Sequence, residues 1–169
     1  MPVAAVAKTA AVLVAAAGGL AGCGGAGEVS LANAHESEVA LAAAVSAALE
    51  TSDRGALQGL LVTRDEYEHV LWPEMPDGEY TPFDFVWGLN EINSGKGLRD
   101  LLYDFGGQSL EIVSVTLPDE TESYETFTLH KGVEVVVRRT DTGEEGILSS
   151  FDVFVEHESG WKLLNYDEL

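Results

Sequence analysis

Residues 147–166, ILSSFDVFVEHESGWKLLNY, decide the fold of this chain. Apolar and polar residues alternate from Ile147 to His157, which predicts a long β-strand. Glu158-Ser159-Gly160 is a turn signal, and Trp161 to Tyr166 predicts a last strand that pairs back in a tight hairpin. The chain therefore ends in an antiparallel sheet.

More strands are predicted before this hairpin. They cover Ser109 to Leu117, Tyr124 to His130 and Val133 to Arg139. Thr140-Asp141-Thr142-Gly143 is a turn signal after the third of them. Consecutive strands joined by short turns predict an antiparallel meander.

Helices are predicted before residue 109. The first runs from about Ala34 to Leu49, with Asn33 as its cap. The others are a short helix from Ser52 or Asp53 to Leu61, a turn or helix from the capping box at Thr63 to Val70, a helical region after Thr81-Pro82, and a helix from Leu98 to Phe105 that stops at Gly106-Gly107. Helices first and strands second predict an α+β fold, with amino-terminal helices packed on one face of a curved antiparallel sheet.

The amino terminus has the layout of an export signal. Residues 1–22, MPVAAVAKTAAVLVAAAGGLAG, contain no acidic residue and one basic residue, Lys8. The apolar run from Ala10 to Ala17 is too short to span a bilayer as a helix. Small residues then lead to Cys23, the single cysteine of the chain.

Leu20-Ala21-Gly22-Cys23 resembles the lipobox of bacterial lipoproteins. The resemblance implies cleavage before Cys23 and attachment of two or three acyl chains to that residue, which together hold a protein firmly at a membrane. Gly24 follows where an acidic residue would indicate inner-membrane retention, so the outer membrane is favoured in a host with two membranes. The alternative is an ordinary signal peptide with an incidental cysteine.

These features divide the chain into three parts. Residues 1–22 are the predicted signal peptide, residues 23–33 a flexible tether rich in small residues, and residues 34–169 one folded domain. The expected location is the bacterial cell envelope, with the lipid on Cys23 in the membrane.

The net charge of −20, from 9 basic and 29 acidic residues, excludes one class of partner. Nucleic acid binding requires clusters of Lys and Arg that neutralise phosphates, and this chain lacks them. Anionic lipid headgroups would also repel so acidic a surface. The covalent lipid, rather than the protein surface, must therefore hold the protein at the membrane.

The element order and the closing segment Gly160-Trp161-Lys162-Leu163 look like the NTF2-like cone fold, the group that includes ketosteroid isomerase and SnoaL-like cyclases. The resemblance covers residues 34–169. It implies a pocket between the concave sheet face and the first helices. A cystatin-like helix-plus-meander arrangement and an unrelated α+β domain are the alternatives.

Four residues are candidates for the pocket: Trp87, Tyr103, His130 and Asp152. Each also has a structural interpretation. A tryptophan is commonly part of the core, His130 precedes a bend at Lys131-Gly132, and Asp152 occupies a solvent-facing position of an alternating strand. No spacing matches an isomerase motif, so we assign no catalytic residue.

The sequence also predicts no metal site and no cofactor. The four histidines form neither an HxH nor an HExxH pair, and no GxGxxG, GxxxxGK or GxSxG segment is present. Two acidic clusters, at residues 119–122 and 141–145, fall in predicted turns and match no calcium loop.

Three functions remain in competition. The leading one is a non-enzymatic, membrane-tethered domain that binds a small apolar ligand or an envelope protein. The second is an isomerase, cyclase or hydrolase of the cone-fold type, with a carboxylate base in an apolar pocket. The third is an assembly lipoprotein that forms a homodimer across the outer sheet face.

Overall fold

The computed structural model describes residues 30–76, 80–151 and 153–166. Helices precede strands in the described chain, and every pairing between two strands is antiparallel, so the predicted α+β class is confirmed. The predicted signal peptide, Cys23 and Asp152 lie outside the described residues.

The described helices are α1 (Glu38–Glu50), α2 (Arg54–Gly59), α3 (Arg64–Glu66) and α4 (Phe83–Phe105). α3 continues into a π-helical turn, Tyr67–Leu71, and a 3₁₀ turn, Trp72–Glu74. None of the described helices combines the length and the apolar composition needed to cross a bilayer.

Side-chain caps fix where the first helices begin. The Ser37 hydroxyl accepts a hydrogen bond from the Ala40 N–H, so α1 starts four residues later than predicted. Asn33 does not cap it, because its backbone is left-handed (φ 56°) and lies outside the helix. The capping box at Thr63 is confirmed: Thr63 and Glu66 each bond the other's backbone N–H.

α4 is one continuous helix of 23 residues, where the sequence predicted two. Asn93, Ser94 and two nearby glycines are poor helix formers, which explains the predicted break. Ser94, Gly97 and Leu98 are buried, so packing outweighs this weak propensity. The helix ends at Gly106, as predicted.

The strands form two sheets rather than the single curved sheet expected. One has the order β1-β4-β5 and the other β2-β3-β6-β7. Their bounds are β1 Leu110–Thr116, β2 Glu122–Ser123, β3 Phe127–Lys131, β4 Glu134–Arg139, β5 Glu145–Leu148, β6 Val153–His157 and β7 Gly160–Leu163.

The separation into two sheets is visible within the segment predicted as one long strand. Residues 147–157 contribute to β5 of one sheet and β6 of the other. Between them Ser150 has a left-handed backbone (φ 71°), which interrupts the extended geometry that a strand requires. The hairpin of β6 and β7 is confirmed, with His157 paired to Gly160.

Three strands of the four-stranded sheet, β3, β6 and β7, are packed between two apolar clusters, while both residues of β2 are exposed. Phe154, Trp161 and Leu163 belong to the main core, which α1, α4 and the three-stranded sheet complete. Leu129 and Val155, on the other face, belong to a second cluster. That cluster also contains Leu31, Val62, Tyr67, Val70, Leu71, Trp87 and Phe127. Helical residues therefore cover both faces of this sheet, where the sequence predicted one.

Candidate functional site

A cleft of about 230 Å³ opens between α4 and the segment that joins α2 to α3. We call it the Trp87 cleft. Its apolar wall comprises Leu61, Val62, Trp87, Leu98 and Leu164. Its polar residues are Gln58, Thr63, Arg64, Asn90, Glu91 and Ser94, and Gly95 completes the lining. An apolar wall with a few polar groups is the usual composition of a small-molecule site.

Packing of aromatic rings holds Trp87 in place. Its ring lies 5.7 Å from Tyr67 and 6.3 Å from Phe83, measured between centroids. Trp87 is 8% exposed and belongs to the lining of the cleft. The packed rings of Tyr67 and Phe83 therefore support Trp87 at this wall.

Arg64 stands at the edge of the cleft with its charge already compensated. Its guanidinium donates to Asp84, comes within 4.0 Å of Glu68 and lies 5.0 Å from the centre of the Phe83 ring. Asp84, an acid in the first turn of α4, has a side chain that is 82% exposed. Neither Arg64 nor Asp84 is therefore a buried, unpaired charge that a ligand would neutralise.

The carboxyl-terminal segment closes the back of the cleft. Ser94 accepts a hydrogen bond from the backbone N–H of Tyr166, and Asn165 donates to Asn90 at 3.1 Å. The Tyr166 hydroxyl donates to the carbonyl of Leu57, and burial raises the pKa of this phenol well above its ordinary value. Tyr166 is thus a structural anchor rather than an acid.

A second, larger cleft of about 580 Å³ lies between the π-helical turn and the edge of the four-stranded sheet. Its lining comprises His69, Val70, Pro73, Glu74, Glu125, Thr126, His157 and Glu158. The Glu74 carboxylate is already hydrogen-bonded within the protein, because it accepts from the backbone N–H groups of Glu125 and Thr126. Within the described ranges no three His, Cys, Asp or Glu side chains are placed to hold a metal ion.

The described geometry does not gather the candidate pocket residues into one site. Trp87 lines the Trp87 cleft, but Tyr103 is 89% exposed on the opposite side of α4. His130 belongs to β3 and faces the main core, on the other side of the sheet from the cluster that contains Trp87. Asp152 is not among the described residues.

His130 is a buried histidine that contacts a carboxylate, as a catalytic acid–base pair would. Its Nε2 lies 2.9 Å from the Glu156 carboxylate, and its ring lies 5.0 Å from that of Trp161. The other nitrogen, Nδ1, is buried without a hydrogen-bond partner among the described residues. Because this nitrogen is enclosed by the core, it cannot reach a dissolved substrate.

Sequence reasoning missed one buried ion pair. Lys162 Nζ lies 2.8 Å from a carboxylate oxygen of Glu66, and the two side chains are 2% and 6% exposed. Glu66 also accepts from the N–H groups of Thr63 and Ala32. Burial raises the pKa of Glu66, but the bonds from Lys162, Thr63 and Ala32 outweigh burial and hold this pKa below its ordinary value. The capping box was the signal that could have found Glu66; no pattern singled out Lys162.

No family model, curated protein or solved structure matches this chain.

Proposed function

We propose that this chain is an exported lipoprotein of the bacterial cell envelope, anchored through lipid on Cys23, with a folded domain that binds a small apolar ligand without catalysis. The domain is a variant of the NTF2-like cone fold, and the Trp87 cleft is its ligand site. An envelope protein is the alternative partner.

The anchor rests on the lipobox resemblance at Cys23. One observation carries the proposed ligand site: the cleft combines an apolar wall with uncharged polar side chains. Trp87 and Leu98 supply apolar surface, while Gln58 and Asn90 supply amide groups that could orient a ligand. Its two charged residues, Arg64 and Glu91, are exposed. A ligand of a few apolar carbons and one hydrogen-bonding group fits a volume of about 230 Å³.

The enzymatic alternative requires a carboxylate base with a raised pKa in an apolar pocket. Among the described carboxylates Glu66 alone is buried, and its pKa is lowered by its ion pair with Lys162. A lowered pKa makes a weak base, so Glu66 does not meet the requirement. Non-catalytic binding is the better account of the described residues.

The test is a pair of tryptophan substitutions on α2, Gln58→Trp and Ala56→Trp. Both positions are exposed, but only Gln58 lines the cleft. The protein is purified from its native host and its native mass spectrum is compared with its denatured mass. We expect the unsubstituted protein and Ala56→Trp to retain a small molecule that Gln58→Trp loses.

Retention of the same molecule by Gln58→Trp would place the ligand elsewhere and overturn the assignment of the cleft. An unsubstituted protein with no retained molecule would overturn small-ligand binding and leave a protein partner as the alternative.

A further inference from the structure

The side of α4 that faces away from the core is unusually apolar. Phe85 is 61% exposed, Leu89 47%, Ile92 70% and Tyr103 89%. With Lys96 and Arg99 these residues form what we call the outer face of α4. At 3.6 residues per turn all six fall within an arc of about 80°. This arc lies opposite the buried side of the helix, which contains Trp87, Ser94, Gly97, Leu98 and Leu101.

The charge on this face is the reverse of the charge on the chain. The chain has a net charge of −20, yet the outer face has two basic residues and no acidic one. Acidic residues lie along its flanks, Asp84 and Glu91 on one side and Asp100 and Asp104 on the other. The helix therefore presents an apolar stripe with positive charge inside it and negative charge beside it.

We propose that the outer face of α4 is a homodimer interface, at which α4 of a second copy packs antiparallel about a two-fold axis between Ile92 and Gly95. A two-fold interface uses the same patch on both copies, so it must be complementary to itself. Shape and charge on this face both meet that condition.

The shape complementarity comes from two glycines. A Cβ added at Gly88 or Gly95 would meet no atom within 4 Å, so each leaves an open notch beside the stripe. The proposed axis places Ile92 of one copy against Gly95 of the other, and the Arg99 stem against Gly88. Each large side chain faces a residue without one, which permits close helix packing.

The charge complementarity follows from the antiparallel direction. When two copies of α4 pack antiparallel, the flank that carries Glu91 in one copy lies beside the same flank of the other copy. The two chains run in opposite directions along these flanks. Arg99 of one copy thus lies beside Glu91 of the other, and symmetry repeats the contact. Within one copy the Arg99 guanidinium lies 3.6 Å from the carboxylate of Asp100, its neighbour in sequence.

A lipid surface is the other class of occupant for an apolar face with basic residues. The observations favour a second copy, because a bilayer with anionic lipids would repel the four flanking carboxylates. A second copy instead brings Arg99 to Glu91. The inference does not depend on the lipid anchor. Glu91 and Gly95 also line the Trp87 cleft, so the proposed interface borders that cleft in each copy.

We expect the dimer to be weak. A pair of helices buries less than the roughly 800 Å² per partner of a standard protein interface. Tethering of both copies to one membrane would raise their effective concentration and favour association.

The test measures association of the full chain by sedimentation equilibrium, up to several hundred micromolar. All proteins have Cys23→Ser, which removes the thiol that could cross-link copies. We expect a concentration-dependent dimer, with a Kd that Ile92→Lys raises about tenfold or more. Ile147→Lys is the matched control, because Ile147 is a 55% exposed isoleucine on β5, far from α4 in sequence. We expect it to leave the Kd unchanged.

A charge swap tests the antiparallel direction. Arg99→Glu and Glu91→Arg should each weaken the dimer, because each places like charges opposite one another. The double variant should restore it, since the pair is re-formed with the charges exchanged. Ile92 does not line the Trp87 cleft, so Ile92→Lys should weaken the dimer without loss of the retained small molecule, and failure of the ligand site and failure of the interface are distinguishable.

Three results would overturn the proposal. The first is a monomer at every concentration, and the second is a dimer that Ile147→Lys disrupts and Ile92→Lys does not. The third is a charge-swapped double variant no stronger than the single ones. A monomer that co-sediments with phosphatidylglycerol vesicles, and loses this binding through Ile92→Lys, would identify the face as a lipid-contact surface instead.

Discussion

The Glu66–Lys162 ion pair joins three segments that are distant in sequence. Glu66 belongs to α3, Lys162 to β7, and the N–H of Ala32 reaches Glu66 from the chain before α1. All the donors around Glu66 point to one carboxylate in a buried site. Such a network fixes the positions of these three segments relative to one another. Removal of one charged member leaves the other charge buried and unpaired.

Lys162→Met should therefore destabilise the fold strongly. The substitution leaves Glu66 buried without its cation, and breaking a buried pair typically costs about 3–5 kcal/mol. The double variant Glu66→Met, Lys162→Met should cost less than the sum of the two single variants, because it removes both charges. Urea denaturation of the three variants measures these free energies of unfolding.

Lys131→Met is the matched control for this experiment. Lys131 pairs with Glu122 at 2.6 Å, but both side chains are more than 40% exposed. An exposed pair contributes about 1 kcal/mol or less. An equal loss of unfolding free energy for Lys131→Met and Lys162→Met would contradict the claim that burial makes the Glu66–Lys162 pair costly to break.

The same pair predicts how stability depends on pH. The pKa of Glu66 is lower in the folded state than in the unfolded state, so its contribution is fully present above the unfolded value, near 4.5. It is lost as the pH falls through the lower folded value, because the unfolded state then binds the proton more readily. We expect the double variant to lose less stability than the unsubstituted protein between about pH 5 and pH 3. Identical pH profiles would show that Glu66 is not responsible.

At the scale of elements, the hairpin of β6 and β7 is fixed by a glycine. Gly160 has φ 124°, and a Cβ there would meet the carbonyl oxygen of His35. His35 and Trp161 exchange two backbone hydrogen bonds, at 2.9 and 2.7 Å, so the segment before α1 covers part of the outer edge of β7. This close approach protects the edge strand and requires a residue without a side chain.

Gly160→Ala should consequently cost about 3 kcal/mol or more, since it adds a clash to backbone strain of about 1–3 kcal/mol. Gly143→Ala is the control, because Gly143 has φ 75° but open space around it. We expect Gly143→Ala to lower the free energy of unfolding by the backbone strain alone, about 1–2 kcal/mol. Thermal unfolding of the two variants compares them directly, and equal losses would contradict the proposed contact with His35.

Local signals predicted many of the element boundaries. The capping box at Thr63, the glycine after α4 and the turn before Gly160 act within a few residues, so sequence alone reveals them. The continuity of α4 and the separation of β5 from β6 depend on distant packing and on the backbone of Ser150. No local pattern contains that information.

The candidate site was less predictable than the fold. Trp87 was predicted as a pocket residue and lines a cleft, but Gln58 and Asn90 were not singled out, because polar residues on helices resemble a solvated surface. Tyr103 was singled out by residue type, and its position on the outer face of α4 depends on which side of the helix the core covers. That choice is made by tertiary contacts.

At the scale of the whole molecule, an acidic surface and an apolar, basic helix face coexist. The net charge of −20 keeps copies apart at long range, but at physiological salt its repulsion decays over about 8 Å. Contacts at the outer face of α4 act at shorter range. The acidity of the chain is therefore compatible with association through α4, at an interface that borders the ligand cleft of each copy at Glu91 and Gly95.

The central claim is that the mature protein is a lipid-anchored binding domain. The most direct test is the native and denatured mass of the protein extracted from its host's envelope. We predict a chain of residues 23–169 with acyl chains on Cys23, and a small molecule that is released on denaturation. A lipidated chain without that molecule would contradict small-ligand binding, and a chain with an unmodified Cys23 would contradict the anchor itself.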